Sequence, residues 1–258
     1  MQFTRAIVRV PSENFSTGIA SAIGGGNPDL ALALAQHAQY CAALRSCGLR
    51  ILSLAADVQH PDSTFIEDTA ILTPRGAIVT RPGAMSRLGE AAATLAKLRD
   101  LFATIRQISS PGTVDGGDVC EVEGEFLVGL SERTNAEGIR QLTEYLSEFE
   151  YATRVIDIRE CKTLLHLKSG LSYIGRGVFV VGPETPFAQA LARYELITVT
   201  AEESYAANCV CVNEQILLAA GFPRIAATLT ELNFRLLTIP MSEFRKMDGG
   251  LSCLSLRF

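Results

Sequence analysis

The chain has 258 residues, 48% of them hydrophobic and 20% charged, which suffices for one large core or two ordinary ones and excludes extensive disorder. A net charge of −5 with no basic cluster excludes a nucleic-acid partner and suits a small cationic one.

In chain order, Phe3 to Val10 alternates apolar and polar residues as a strand does. Pro11 to Pro28 is a Ser-, Gly- and Asn-rich loop containing Gly24-Gly25-Gly26. Asp29 then caps a helix that runs from Leu30 to about Gly48, and Arg50 to Leu54 is a strand. His60 to Thr64 is a polar turn. Further helices are predicted from Ser86 to Phe102, Asn135 to Phe149, Pro186 to Arg193 and Pro223 to Leu232.

Between the helices a hairpin recurs. Asp68–Leu72 turns into Ala77–Thr80, Asp118–Val122 into Phe126–Val128, Leu171–Ile174 into Val178–Val181, and Asn208–Val212 into Ile216–Leu218. After each hairpin come a helix and another strand: Ile105–Ile108, Arg154–Ile158, Glu195–Val199 and Arg235–Ile239. This is a ββαβ unit repeated at about 40 to 55 residues, in the range of propeller blades. The fifth unit is split. The terminal stretch Gly249 to Phe258 reads as a short strand with Cys253 near its start, and it pairs with the strand at Arg5 to Val10. Pairing the two ends closes the ring and removes the sheet edge. The expected architecture is therefore α/β, a five-bladed α/β-propeller around a central channel. With no linker or composition break, residues 1–258 are expected to form one domain. An ordinary α+β fold with fortuitous hairpins is the bland alternative.

The amino terminus lacks an uninterrupted apolar core, so no signal peptide is expected. The longest apolar run, Ala201 to Ala220, is broken by Glu202, Glu203, Asn208, Asn213 and Glu214, so no membrane span is expected. Seven cysteines without a C-x-x-C pair predict free thiols in a cytoplasmic setting. Three histidines without zinc spacing argue against a structural zinc site.

The repeat predicts convergence of the residues at each first-strand entry. These are Glu67 and Asp68, then Asp115 and Asp118, His166, Asn208 and Cys253. A thiol, an imidazole and several carboxylates suit a nucleophile, a general acid/base and an anionic pocket for a cation. Each has a plainer reading. Cys253 and His166 read as buried core residues, Asp115-Gly116-Gly117-Asp118 as a simple turn, and Arg87 and Arg133 as solvated charges. Glu67-Asp68 sits within an apolar run, where carboxylates are seldom found unless paired. Arg87 and Arg133 both follow hairpins of neighbouring units, and two guanidinium groups so placed suit one carboxylate.

Pro61-Asp62-Ser63-Thr64-Phe65-Ile66-Glu67-Asp68, Arg81-Pro82-Gly83, Gly112-Thr113-Val114-Asp115-Gly116-Gly117-Asp118, Arg133-Thr134-Asn135, Leu165-His166-Leu167-Lys168, Ala206-Ala207-Asn208-Cys209 and Asp248-Gly249-Gly250-Leu251-Ser252-Cys253 together resemble the dimethylarginine dimethylaminohydrolases, end to end. These belong to the guanidine-modifying penteins. The resemblance implies hydrolysis of methylated arginine to citrulline and a methylamine. It implies Cys253 as nucleophile, His166 as proton donor and Asp115 as the residue that orients His166. Asp68, helped by Glu67, would bind the guanidinium, and Arg87 and Arg133 the α-carboxylate. Asp62 and the backbone of Ile19, with that of Met247 nearby, would bind the α-amino group. No cofactor is implied, and a homodimer is compatible with it. The Gly-rich loop near Ile19 departs most from the family. The competing readings are an arginine deiminase or amidinotransferase, a non-catalytic binder of arginine-like ligands, and a Cys-His amidase. A crowd of carboxylates suits the last badly.

Overall fold

The computed structural model describes residues 2–20, 26–183, 187 and 189–258. Strand β1 (Arg5–Arg9) leads to helix α1 (Leu30–Ser46) and β2 (Arg50–Leu54). Asp29 caps α1, its Oδ1 accepting the Leu32 N–H at 3.0 Å. The next unit is β3 (Ala70–Thr73), β4 (Gly76–Val79), α2 (Glu90–Arg99) and β5 (Ile105–Gln107). It is followed by β6 (Val119–Val122), β7 (Glu125–Leu130), α3 (Ala136–Glu148) and β8 (Ala152–Asp157). A one-turn helix α4 (Leu167–Gly170) opens the next unit, with β9 (Leu171–Tyr173), β10 (Val178–Val181) and β11 (Glu195–Thr198). Then come β12 (Val210–Val212), β13 (Gln215–Ala219), α5 (Pro223–Glu231) and β14 (Arg235–Ile239), a short α6 (Ser242–Arg245), and finally β15 (Leu256–Arg257).

These strands form five three-stranded sheets. In each, the first strand runs antiparallel to the second and the second parallel to the third. The split sheet obeys the same rule: β15 pairs antiparallel with β1 through Ala6–Arg257 and Ile7–Leu256, and β1 runs parallel to β2. The architecture is the five-bladed α/β-propeller expected from the repeat. The middle strands β4 and β10 are buried along their whole length, because neighbouring blades and the outer helices cover both faces. The apolar core is accordingly distributed between blades. Among the described residues, no helix is long and apolar enough to cross a membrane, and all seven cysteines are free thiols.

Three local expectations differ from the structure. Gly249 to Phe258 is not one strand: Ser252–Leu254 is a 3-10 turn, and only Leu256–Arg257 pairs. The helix expected from Ser86 begins at Glu90, after a separate 3-10 turn at Met85–Arg87, because the Arg87 side chain is drawn inward to carboxylates. Of the helix expected over Pro186 to Arg193, residues 184–186 and 188 lie outside the described set and residues 187 and 189–193 form turns. Phe187 and Leu191 are both fully buried and share one i,i+4 backbone bond of 2.8 Å, so the helical spacing survives for a single turn.

The blades share a further feature. A 3-10 or one-turn helix precedes each first strand: Ile66–Thr69, Gly116–Asp118, Leu167–Gly170, Ala201–Ala207 and Ser252–Leu254. These five entry turns surround the channel axis and aim the side chains discussed next.

Candidate active site

A cavity of about 170 Å³ opens at one end of the channel. Its charged lining comprises Asp62, Asp68, Arg87, Asp115, Arg133, His166 and Asp248, with Cys253, Ile19, Phe65, Leu165 and Met247 among the others. Every expected site residue except Glu67 therefore lies here.

Asp115 is fully buried just before the Gly116–Asp118 turn. Its Oδ2 lies 3.0 Å from His166 Nε2, and its Oδ1 accepts the Gly83 N–H at 2.8 Å. One carboxylate thus fixes the imidazole against the loop that follows β4. Gly117 donates its N–H to Asp68 Oδ1 at 2.8 Å. A Cβ at Gly117 would stand 2.7 Å from His166 Nδ1, so glycine is what lets the ring lie over this turn. Asp118 faces away: it accepts Ser131 Oγ at 2.6 Å, Thr134 Oγ1 at 2.7 Å and the Leu167 N–H at 2.9 Å, tying the turn of Asp115 to the segment of His166.

Electrostatics follow from these placements. Burial works against a charged His166, but Asp68, the bond to Asp115 and nearby Asp118 outweigh it and raise its pKa to about 9. Burial likewise opposes a charged Asp68, yet His166 and Arg87 lower it to about 2. Cys253 is pushed up to about 12, first by burial and then by the charges of Glu67 and Asp68. In the empty site at neutral pH, His166 is an imidazolium and Cys253 a thiol. Asp68, Asp115 and His166 present ligand atoms within 4.8 Å of one another, a spacing a metal ion would accept. The imidazolium and the Arg87 guanidinium already meet the carboxylate charge there.

Arg87 is more committed than the sequence suggests. Its Nη1 donates to Asp68 Oδ2 at 2.6 Å, its Nε and Nη2 grip the Glu90 carboxylate at 2.9 and 2.7 Å, and Nη2 also reaches the Phe65 carbonyl at 3.1 Å. That leaves one Nη1 hydrogen for a ligand. Arg133 has no carboxylate within 4.0 Å among the described residues. It is carried by the loop before α3, where the Asn135 cap accepts the N–H groups of Gly138 and Thr113 at 2.8 and 3.1 Å. Asp62 receives the Ile19 N–H on both oxygens, at 3.0 and 3.1 Å, and burial raises its pKa.

Glu67 departs from expectation. Its carboxylate turns away from the cavity and pairs with Lys168 Nζ at 2.5 Å and Ser252 Oγ at 2.7 Å. It lines a second cavity of about 280 Å³ together with Lys168, Ser252 and Arg257. In a 3-10 turn, residues 67 and 68 cannot share one side, and Lys168 claims the first. Sequence reasoning also passed over Glu90. The signal was present: an acid three residues beyond Arg87 and one helical turn away.

A five-bladed propeller that gathers a cysteine, a histidine and paired carboxylates at one end of its channel is a guanidine-modifying pentein. Residues 59–215 match the family model described as arginine deiminase. An N(G),N(G)-dimethylarginine dimethylaminohydrolase of Pseudomonas aeruginosa is 39% identical over 99% of this chain and 100% of the relative. One from Streptomyces coelicolor is 33% identical over 100% of this chain and 98% of its own. The solved structure of the Pseudomonas aeruginosa enzyme, a Cys-to-Ser mutant complexed with citrulline, covers 100% of both chains with a TM-score of 0.94 and 38% identity. The chain belongs to the dimethylarginine dimethylaminohydrolase family.

Proposed function

We propose that residues 1–258 act as one catalytic unit that hydrolyses ω-methylated arginine to citrulline and a methylamine. The observation that carries this is the meeting of Asp68, Asp115, His166 and Cys253 in one cavity, with Arg133 and Asp62 at its far side. The activity for which the Pseudomonas aeruginosa and Streptomyces coelicolor relatives are named agrees with it.

The guanidinium lies against Asp68 and Asp115, whose carboxylates pair with its N–H groups and fix its plane. Arg133, with the remaining Nη1 hydrogen of Arg87, takes the α-carboxylate. Asp62 takes the α-ammonium, beside the backbones of Ile19 and Met247. Burial first, and then the charges of Glu67 and Asp68, hold the Cys253 thiol near 12; the arriving cation opposes the charges, so binding itself promotes loss of the thiol proton to solvent. The thiolate attacks the guanidinium carbon. His166, as imidazolium, protonates the departing nitrogen, and the carbon–nitrogen bond breaks to release the methylamine. Neutral His166 then accepts a proton from water as it adds to the S-alkylthiouronium carbon. Collapse breaks the carbon–sulfur bond, and the proton of the adduct hydroxyl passes to the expelled Cys253 thiolate, leaving citrulline and the free thiol. One water is consumed, and every proton has a donor.

The name of the matching family model favours a second reading, in which unmethylated arginine is the substrate and ammonia the product. The test is to incubate pure protein separately with arginine, monomethylarginine and asymmetric dimethylarginine and to measure citrulline. Turnover of the methylated substrates alone supports the proposal. Turnover of arginine alone replaces it with the second reading, and no citrulline from any of the three rejects both.

A further inference from the structure

The entry turn at Ala201–Ala207 supplies nothing to the cavity lining, although Asn208 stands at the position where other blades present active groups. Asn208 is nonetheless buried, and its amide is fully used behind the site. Its Nδ2 donates to the Lys168 carbonyl at 2.8 Å and to Ser252 Oγ at 3.0 Å, while its Oδ1 accepts the Ser252 N–H at 3.1 Å. Ser252 Oγ passes its own hydrogen to Glu67 Oε2 at 2.7 Å, and Glu67 Oε1 holds Lys168 Nζ. A second observation fits the same amide to this turn. A Cβ on Gly250 would lie 2.4 Å from Asn208 Oδ1, so the chain leading to Cys253 packs directly onto it.

The chain positions make the point sharper. Ser252 precedes Cys253, Glu67 precedes Asp68, and Lys168 follows His166 by two residues. Each of these three entry turns therefore places one residue in the cavity and a neighbour behind it. Those neighbours are joined to one another through Asn208 and Ser252.

We infer that Asn208 and Ser252, backed by Glu67 and Lys168, are positioning residues that hold the Cys253 turn in register with His166 and Asp68. The inference rests on Cys253 being the nucleophile, as proposed above. Cys253 sits in the three-residue turn Ser252–Leu254, which is followed only by the two-residue strand Leu256–Arg257, so little regular structure fixes it. Reaction requires Sγ above the plane of a guanidinium that Asp68 fixes from another blade, and a misplacement of about 1 Å can cost roughly a hundredfold in rate. Two bonds from Asn208 and one from Glu67 tie down the residue next to the thiol.

The experiment compares Ser252→Ala and Asn208→Ala with the parent enzyme. Two alkylating agents are used on each: neutral iodoacetamide, which reports the thiol itself, and cationic chloroacetamidine, which must first dock against Asp68. Expected for both variants is a loss of roughly tenfold or more in the chloroacetamidine rate, with the iodoacetamide rate within about twofold. On methylated arginine, kcat per titratable Cys253 falls while KM stays within about twofold. The double variant is no worse than the poorer single one, because the two residues act as one device. A merely structural role lowers the folded fraction and leaves both rates per titratable thiol unchanged, which overturns the inference. Equal loss with both agents also overturns it, since the thiol's ionisation rather than its aim would then have changed. If Asn208→Ala does not fold, Ser252→Ala, which removes one hydroxyl, decides the matter. Alkylation needs no turnover, so an enzyme that makes no citrulline but shows the selective loss fails the functional reading and keeps this one.

Discussion

The two ends of the channel are built from the same entry turns and behave oppositely. At the rear, Glu67 meets Lys168 at 2.5 Å and Arg257 at 3.5 Å, so its charge is met by its own chain although it still acts on the Cys253 thiol. At the front, Asp68 meets Arg87 at 2.6 Å but also sustains an imidazolium at His166 and presses on the thiol of Cys253. Neighbouring residues of one turn thus separate scaffold from chemistry. Ionisable groups at the rear are matched and hold blades together, while those at the front wait for a cation from outside.

The comparison breaks most completely at the thiol. Cys253→Ser should yield no detectable citrulline from methylated arginine while the circular dichroism spectrum stays that of the parent. A hydroxyl in a site that already holds a thiol near 12 has no means to ionise. Normal turnover by a folded Cys253→Ser protein would remove the nucleophile assignment.

Next in size is Asp68→Asn. It removes a charge that aligns the guanidinium and raises the pKa of His166, so kcat should fall roughly a hundredfold. It also predicts a direction with pH. In the parent, the acid form of His166 is lost as pH rises through about 9, and kcat/KM, which reports the free enzyme, should decline there. In Asp68→Asn that decline should move to lower pH. Stability carries the same sign. The folded pKa of about 9 exceeds the ordinary 6.5, so the contribution of His166 is fully present below pH 6.5 and disappears as pH rises through 9. Melting temperature should fall across that window in the parent, and His166→Gln should flatten the slope.

The blades were legible in the sequence because strand alternation and Gly-containing turns are local signals. Asp115, His166 and Cys253 were legible as a group because the repeat assigned them equivalent positions. The 3-10 entry turns were not, since a three- or four-residue turn has no period to detect. Nor was the side to which Glu67 points. That choice is made by Lys168, 101 residues away, and by Ser252, 185 residues away, neither of which leaves a trace beside Glu67. The split allegiance of Arg87 was hidden for the same reason: its partner Asp68 belongs to a different element, and only Glu90 lies within reach along the chain.

A smaller effect is expected at the rim of the front cavity. Arg133 is proposed to hold the substrate carboxylate, remote from the reacting carbon. A charge-assisted contact is worth about 1.5–3 kcal/mol, so Arg133→Ala should raise KM roughly ten- to a hundredfold with kcat little changed. Methylguanidine lacks the carboxylate, and its slow turnover should be indifferent to Arg133→Ala yet fall with Asp68→Asn. Equal damage to both substrates would make Arg133 a scaffold residue.

The smallest effect tests the comparison itself. Glu123 lies at the rear mouth, exposed, where its Oε1 accepts the Tyr173 hydroxyl at 2.5 Å. Glu123→Gln removes a full negative charge from the same channel that holds Cys253. If channel charge acted on the thiol without regard to position, that loss would lower the thiol's pKa and speed its alkylation at neutral pH. Solvent and salt screen an exposed charge beyond about 10 Å, and the carboxylates that act on the Cys253 thiol are the buried Glu67 and Asp68. The expected result is a pH profile for iodoacetamide alkylation of Cys253 that superimposes on the parent's, with kcat/KM within about twofold, as for surface changes away from special features. A profile shifted to lower pH would mean that an exposed charge at the rear mouth reaches the thiol as the buried Glu67 and Asp68 do.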